Sequence, residues 1–260
     1  MVVAAQGRTI PLLLVTATLV GGALASAGAS ALNQYIDRDM DGKMARTKNR
    51  PIPAGRIAPS HALVYGMVLS VLSLVVLAML VNPLSAFLAG IGIVYYVLLY
   101  TVLLKRNTVL NILIGGGAGA MPVLVGWAAV DGALAPGAWI LFAIVFYWTP
   151  PHSWALALLV NKDYAEANVP MMPVARGQDV TRIQILLYSV QLIALSFLPV
   201  PFRISGTFYL LSAALLGAGM IWQAWKLIQV KTGAQARKTY KYSTFYLALL
   251  FLALIVDQLL

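Results

Sequence analysis

The segment Asn33–Asp41, NQYIDRDMD, places an amide and two carboxylates, Asn33, Asp37 and Asp41, at positions i, i+4 and i+8. On a helix that spacing puts all three on one face. Stacked carboxylates repel and weaken an isolated helix, so a cation is expected to offset them. Hard oxygen donors of this kind suit Mg²⁺, which takes one or two carboxylates and completes its shell with substrate phosphates. The competing reading is a solvated acidic helix end whose partners are local Arg and Lys residues.

A loop follows at once, carrying Lys43, Arg46, Lys48, Arg50 and Arg56, and broken by Pro51, Pro53 and Gly55. With Arg38 it makes six basic residues in a stretch unsuited to a helix but suited to an anion. Arg grips phosphate through two parallel bonds, while Lys acts as a point charge. A lipid-headgroup anchor would look similar. Tyr100, Lys105 and Arg106 form a second basic turn, either a phosphate contact or an interfacial Tyr with a short basic loop. A second acidic loop opens with Asn161-Lys162-Asp163-Tyr164 and reaches Glu166. Asp163 is its one convincing hard ligand, and the pair of loops suggests a two-cation clamp. His152 lies in Trp148–Trp154, WTPPHSW, where two prolines predict a kink or break in a helix. An ionisable side chain inside an apolar segment is a candidate functional group. A neutral His bonded to a backbone carbonyl is the alternative.

The elements that must position these groups are apolar. Of 260 residues, 61% are hydrophobic and 10% charged, against roughly 25% charged in a soluble domain. Eight long uncharged runs can be drawn, at about 10–32, 61–81, 84–104, 109–129, 137–160, 183–200, 206–226 and 244–260. Each is close to the roughly 20 residues that cross a bilayer. A β-barrel would need short alternating segments instead. The sequence therefore predicts an all-α polytopic helical bundle forming one membrane domain over 1–260. The net charge of +10 does not imply nucleic acid. If the sides alternate, sixteen of the eighteen basic residues share one face and only Arg8 and Arg203 lie on the other. That asymmetry orients the loaded loops toward the cytoplasm. Six of the eight acidic residues lie in the two long loops on the same face. With no cysteine, disulfides, thiolate metal sites and cysteine nucleophiles are excluded.

The Asn33–Asp41 stripe resembles the first Asp-rich motif of the UbiA superfamily of intramembrane prenyltransferases. Four strings resemble the haem O synthase (protohaem IX farnesyltransferase) branch in particular. They are NQYIDRDMDGKMARTKNRPIPAGRI, YTVLLKRNTVLNILIGGGAGAMPVLVGWAAV, YWTPPHSWALAL and DYAEANVPMMPV. The resemblance implies a multi-pass enzyme of the cell inner membrane that transfers farnesyl from farnesyl diphosphate to a vinyl group of protohaem IX. It implies Mg²⁺ held by Asn33, Asp37, Asp41 and Asp163. It further implies substrate contacts from Arg38, Lys43, Arg46, Arg50, Tyr100, Lys105, Arg106, His152, Asn161, Lys162 and Tyr164. Membrane lipid, and haem A synthase or a terminal oxidase under assembly, are the implied partners. The second motif, with Asn161, Asp163 and Glu166, is sparser than the DxxxD of relatives with quinone precursors as acceptors. Three alternatives remain: a prenyltransferase with an aromatic acceptor, a divalent-cation transporter, and a non-catalytic haem-holding assembly factor. The superfamily generally has nine spans with its first motif after the second, so the chain is expected to lack the first. An open groove beside the helix near 10–32 is expected with it.

Overall fold

The computed structural model describes residues Met1–Leu260. No strand is present, and the chain runs through twelve helical elements. They are α1 (Val2–Ala5), α2 (Leu12–Ile36), α3 (Arg38–Asp41), α4 (Pro59–Leu80) and α5 (Pro83–Leu104). There follow α6 (Asn111–Asp131), α7 (Pro136–Leu159), α8 (Asn161–Glu166) and α9 (Met172–Ala175). The last are α10 (Gln178–Phe197), α11 (Thr207–Val230) and α12 (Gly233–Asp257). Eight are long, and seven of those are long and apolar enough to span a membrane on their own. The eighth is α7, whose Tyr147–Trp154 stretch dilutes its apolar character. It is instead well enclosed, packed against α6, α10 and α12, with Ile144, Ala155 and Trp154 at 0–1% exposure.

Starts and turns follow local rules. Pro59, Pro83 and Pro136 each occupy the first turn of a helix, where the missing N–H costs nothing. Asn82 accepts a bond from the Ser85 amide and so caps α5, closing the tight α4–α5 turn. α12 begins at Gly233, about a dozen residues before the apolar run, capped by Thr232, which accepts from the Gln235 amide. Hydropathy could not register that extension, because Arg237, Lys238 and Lys241 lie in it.

A large core runs between the helices, with Leu77, Ile144, Leu192, Tyr209, Met220 and Tyr246 fully buried. Its polar groups find partners across helices: Ser73 donates to the Gly21 carbonyl, and Tyr209 donates to the Ser196 carbonyl. Such bonds average about 0.6 kcal/mol in membrane proteins. The helices α2 and α4 touch backbone to backbone. A Cβ at Gly28 would lie 2.8 Å from the Ser70 nitrogen and 2.9 Å from the Gly66 oxygen.

Two expectations change. The prolines of WTPPHSW do not break α7, which stays helical from Pro136 to Leu159. Neighbouring helices enclose the segment and hold it. Nor does α2 run straight through the acidic stripe. It ends at Ile36, Asp37 leaves helical geometry (φ −88, ψ 6), and the chain resumes as α3.

Candidate active site

The interruption at Asp37 does not scatter the stripe. The Asp37 amide still bonds the Asn33 carbonyl at 2.8 Å, and the Asp41 amide bonds the Asp37 carbonyl at 2.8 Å. Asn33, Asp37 and Asp41 therefore keep one face, and all are buried, at 5%, 0% and 1% exposure. Carboxylates so buried demand partners. The Asp37 carboxylate accepts from the Asn33 amide (2.8 Å) and from the Lys105 ammonium, and lies 3.3 Å from the Arg106 guanidinium. Asp41 pairs with Arg50 at 2.7 Å, and its backbone carbonyl accepts from the Thr47 hydroxyl. Arg106 also forks onto Asp39 at 2.8 and 2.9 Å. That guanidinium holds the Asp39 carboxyl well below the usual carboxylate range, at about 2.

Lys105 arrives because the second half of α5 is unusual. From Tyr95 to Leu104 the backbone bonds follow i→i+5 spacing, a π-helical stretch. Such stretches are rare and concentrate at functional sites. The wider turn aligns Tyr96 and Thr101 and carries Lys105 to the same end. Thr101, fully buried, donates to the Tyr96 carbonyl and accepts from the Asn33 amide at 3.1 Å. The Tyr96 and Tyr100 rings stack 5.5 Å apart beneath it. Thr101 is a site residue that sequence reasoning passed over, since a lone Thr in an apolar run carries no motif signal.

The two acidic loops converge. The Arg46 amide donates to Asp163 at 3.3 Å. Beneath that contact, Met40 and Met44 of the first loop pack with Tyr164, Val169 and Met171 of the second. Burial pushes the Tyr164 hydroxyl above its ordinary pKa, with Arg46 beside it opposing the shift. The Oδ1 of Asn161 is buried with no donor. No three acidic or imidazole side chains converge on one point. Lys43 and Lys162 are exposed. Arg38 turns aside, donating to the Tyr35 carbonyl at 2.6 Å with its guanidinium 4.6 Å from the Tyr35 ring.

One helical turn below Asn33 a cavity of about 1150 Å³ begins. Ala29, Ser30, Tyr96 and Tyr100 line its upper end, and Gly115, Gly116, Gly119, Met121, Thr149 and Ser153 line the walls. Leu19, Gly22 and Ser26 of α2 face Phe251 and Leu254 of α12 across it. His152 does not line it. While Thr149 and Ser153 turn to the cavity, His152 packs toward α12, its Nδ1 2.8 Å from the Ser243 hydroxyl and its ring between Trp148 (4.2 Å) and Tyr240 (4.6 Å).

A model of the UbiA prenyltransferase family matches residues 1–255. The protoheme IX farnesyltransferase of Microcystis aeruginosa is 49% identical over 261 residues, covering 100% of this chain and 82% of that protein. That of Chloroflexus aurantiacus is 51% identical over 246 residues, or 95% of this chain. The chain spans only 42% of that second relative's length. Among solved structures, a UbiA homolog from Archaeoglobus fulgidus bound to DMAPP and Mg²⁺ superposes with a TM-score of 0.67 at 15% identity, covering 97% of this chain and 93% of that one.

Proposed function

The chain belongs to the UbiA prenyltransferase family, and from that premise we propose that it transfers a farnesyl group from farnesyl diphosphate to a vinyl group of protohaem IX. The observation that carries the reading is the buried Asn33–Asp37–Asp41 face, edged by Lys105, Arg106 and Arg50, directly above an apolar cavity of about 1150 Å³. The acceptor is argued from the relatives of about 50% identity, which are named protoheme IX farnesyltransferase.

Each group has a task. Lys105, Arg106 and Arg50 hold the diphosphate at the mouth, where preorganised cations stabilise charge developing on the leaving oxygens. Lys43, Arg46 and Lys162 stand on the same side and add to that field. Asn33, Asp37, Asp41 and Asp163 offer the hard oxygen donors that Mg²⁺ favours, and the donor-free Asn161 Oδ1 fits the same chemistry. Mg²⁺ bound there supplies charge neutralisation of the diphosphate. The farnesyl chain lies in the cavity, whose walls exclude water. Its C1–O bond breaks with both electrons leaving on diphosphate. Tyr96 and Tyr100 turn ring faces toward the allylic cation. The vinyl π electrons form the new carbon–carbon bond. Water then adds to the resulting cation and loses a proton, giving a hydroxyfarnesylethyl chain. The whole of 1–260 acts as one membrane domain, with the acidic loops in the cytoplasm and the chain in the cell inner membrane. A haem A synthase or terminal oxidase would receive the product.

Arg38, bonded to the Tyr35 carbonyl, and His152, beside the Ser243 hydroxyl, have no role in this scheme. The rival reading, an aromatic acceptor such as a quinone precursor, is separated by one incubation. Purified chain, farnesyl diphosphate and Mg²⁺ are supplied with either haem or 4-hydroxybenzoate. Prenylated haem is expected; prenylated hydroxybenzoate with unchanged haem overturns the assignment.

A further inference from the structure

Asp37 and Asp41 look like metal ligands by type and spacing, yet both are already neutralised from within. Asp37 carries Lys105 on one oxygen and Arg106 near the other, and Asp41 carries Arg50. The carboxylates are fully enclosed, and Lys105 itself is only 12% exposed. A divalent ion arriving alone would have to displace these cations and leave them beside it in a site of low dielectric. Like charges placed so are costly. No third acidic side chain converges with them on one point; Asp39 is taken up by Arg106.

A diphosphate changes the balance. It offers Lys105, Arg106 and Arg50 an anion with more acceptor oxygens than a carboxylate, and charge-assisted bonds to phosphate are strong. Once they move to it, Asp37 and Asp41 are released as donors. We propose that Lys105 and Arg50 act as internal counter-ions that bar free divalent metal from Asp37 and Asp41, so that the site takes metal and diphosphate as one species. The inference rests on the reading of this face as a metal–diphosphate site, but it needs neither haem nor farnesyl. The coupling must be reciprocal: metal raises the affinity for diphosphate by the factor by which diphosphate raises that for metal. Lys105 and Arg50 thereby link the two ligands.

The test uses the full chain in detergent micelles, with Mn²⁺ as a spectroscopic probe and inorganic diphosphate as its partner. Electron paramagnetic resonance counts bound Mn²⁺ in titrations with and without diphosphate. The wild-type chain is expected to bind Mn²⁺ at least about tenfold more tightly with diphosphate than without, with the same factor recovered when diphosphate is titrated with and without Mn²⁺. In Arg50→Gln and in Lys105→Gln, Mn²⁺ alone is expected to bind about tenfold more tightly than to the wild type, and the enhancement by diphosphate shrinks. Lys105→Gln leaves Asp37 short of a buried partner and can compromise folding, which a thermal melt reveals. The Arg50 variant and the wild-type titrations then decide the matter. Equal Mn²⁺ affinity with and without diphosphate in the wild type overturns the proposal, as does an Arg50→Gln chain that melts like the wild type without gaining affinity. No binding of Mn²⁺ under any condition, diphosphate included, overturns the metal–diphosphate reading itself, an outcome distinct from either.

Discussion

Asp37 and Asp41 have almost no water to share their charge, so each depends on what the protein places beside it. Deleting one partner of a buried pair costs about 3–5 kcal/mol, whereas a solvated pair contributes under about 1 kcal/mol. The contrast separates the basic residues of the first loop by what they touch. Arg50 ends on a buried carboxylate, whereas the exposed Arg38 lies over a half-buried tyrosine. Both look alike in the sequence, because a charge run does not say which way each side chain turns. Asp37→Asn and Asp41→Asn are each expected to lower farnesyl transfer by at least about a hundredfold, as loss of a main electrostatic contact does. Both variants are expected to melt below the wild type, Asp37→Asn by more, because its amide leaves the enclosed Lys105 ammonium without a carboxylate. Arg38→Ala is expected to change turnover less than about threefold. Steady-state release of diphosphate checks all three, and a large loss with Arg38→Ala would reverse the placement given to it.

At the scale of elements, the long helices were legible because apolar length is the signal a bilayer selects. Their ends were less so. α12 begins well before its apolar run, because backbone hydrogen bonding continues past the last hydrophobic residue wherever a cap is available. The π-helical stretch of α5 was not legible at all. YYVLLYTVLL reads as ordinary apolar helix, and nothing in residue type announces i→i+5 bonding. Its consequence is nevertheless specific, since it brings Thr101 to Asn33 and Lys105 to Asp37. The prolines of α7 gave the opposite error, a strong local signal overridden by enclosure. Where α2 meets α4, packing depends on a missing side chain. Gly28→Leu would drive a side chain into the Ser70 and Gly66 backbone, which cannot yield as a flexible side chain could. Overpacking of this kind costs about 1–3 kcal/mol. Since α2 carries Asn33 and Asp37, the variant is expected to melt lower and to lose turnover together. A lower melt with unchanged turnover would mean that α2 does not position the site.

For the molecule as a whole, the proposed orientation rests on the expectation that sixteen basic residues share one face with the acidic loops. The convergence of the two loops was anticipated from their shared face, as a two-cation clamp, without the contacts that make it. The Arg46–Asp163 contact and the methionine packing beneath it are tertiary facts without sequence periodicity. The absence of cysteine makes orientation simple to measure. Single cysteines at exposed Lys48 and Lys162 are expected to react with a membrane-impermeant maleimide only from the cytoplasmic side. One at Ala133 is expected to react only from the other side. Labelling of Lys48→Cys from outside intact cells would invert the topology.

The central claim joins one face of three residues to one product, and the mass of the haem tests both together. Purified chain is incubated with haem, farnesyl diphosphate and Mg²⁺, and the extracted haem is analysed by liquid chromatography with mass spectrometry, beside Asp37→Asn under the same conditions. The account predicts, for the wild type alone, a haem heavier by a farnesyl group and a hydroxyl. Unmodified haem from a correctly folded wild-type chain, or the same product from Asp37→Asn at a comparable rate, would contradict it.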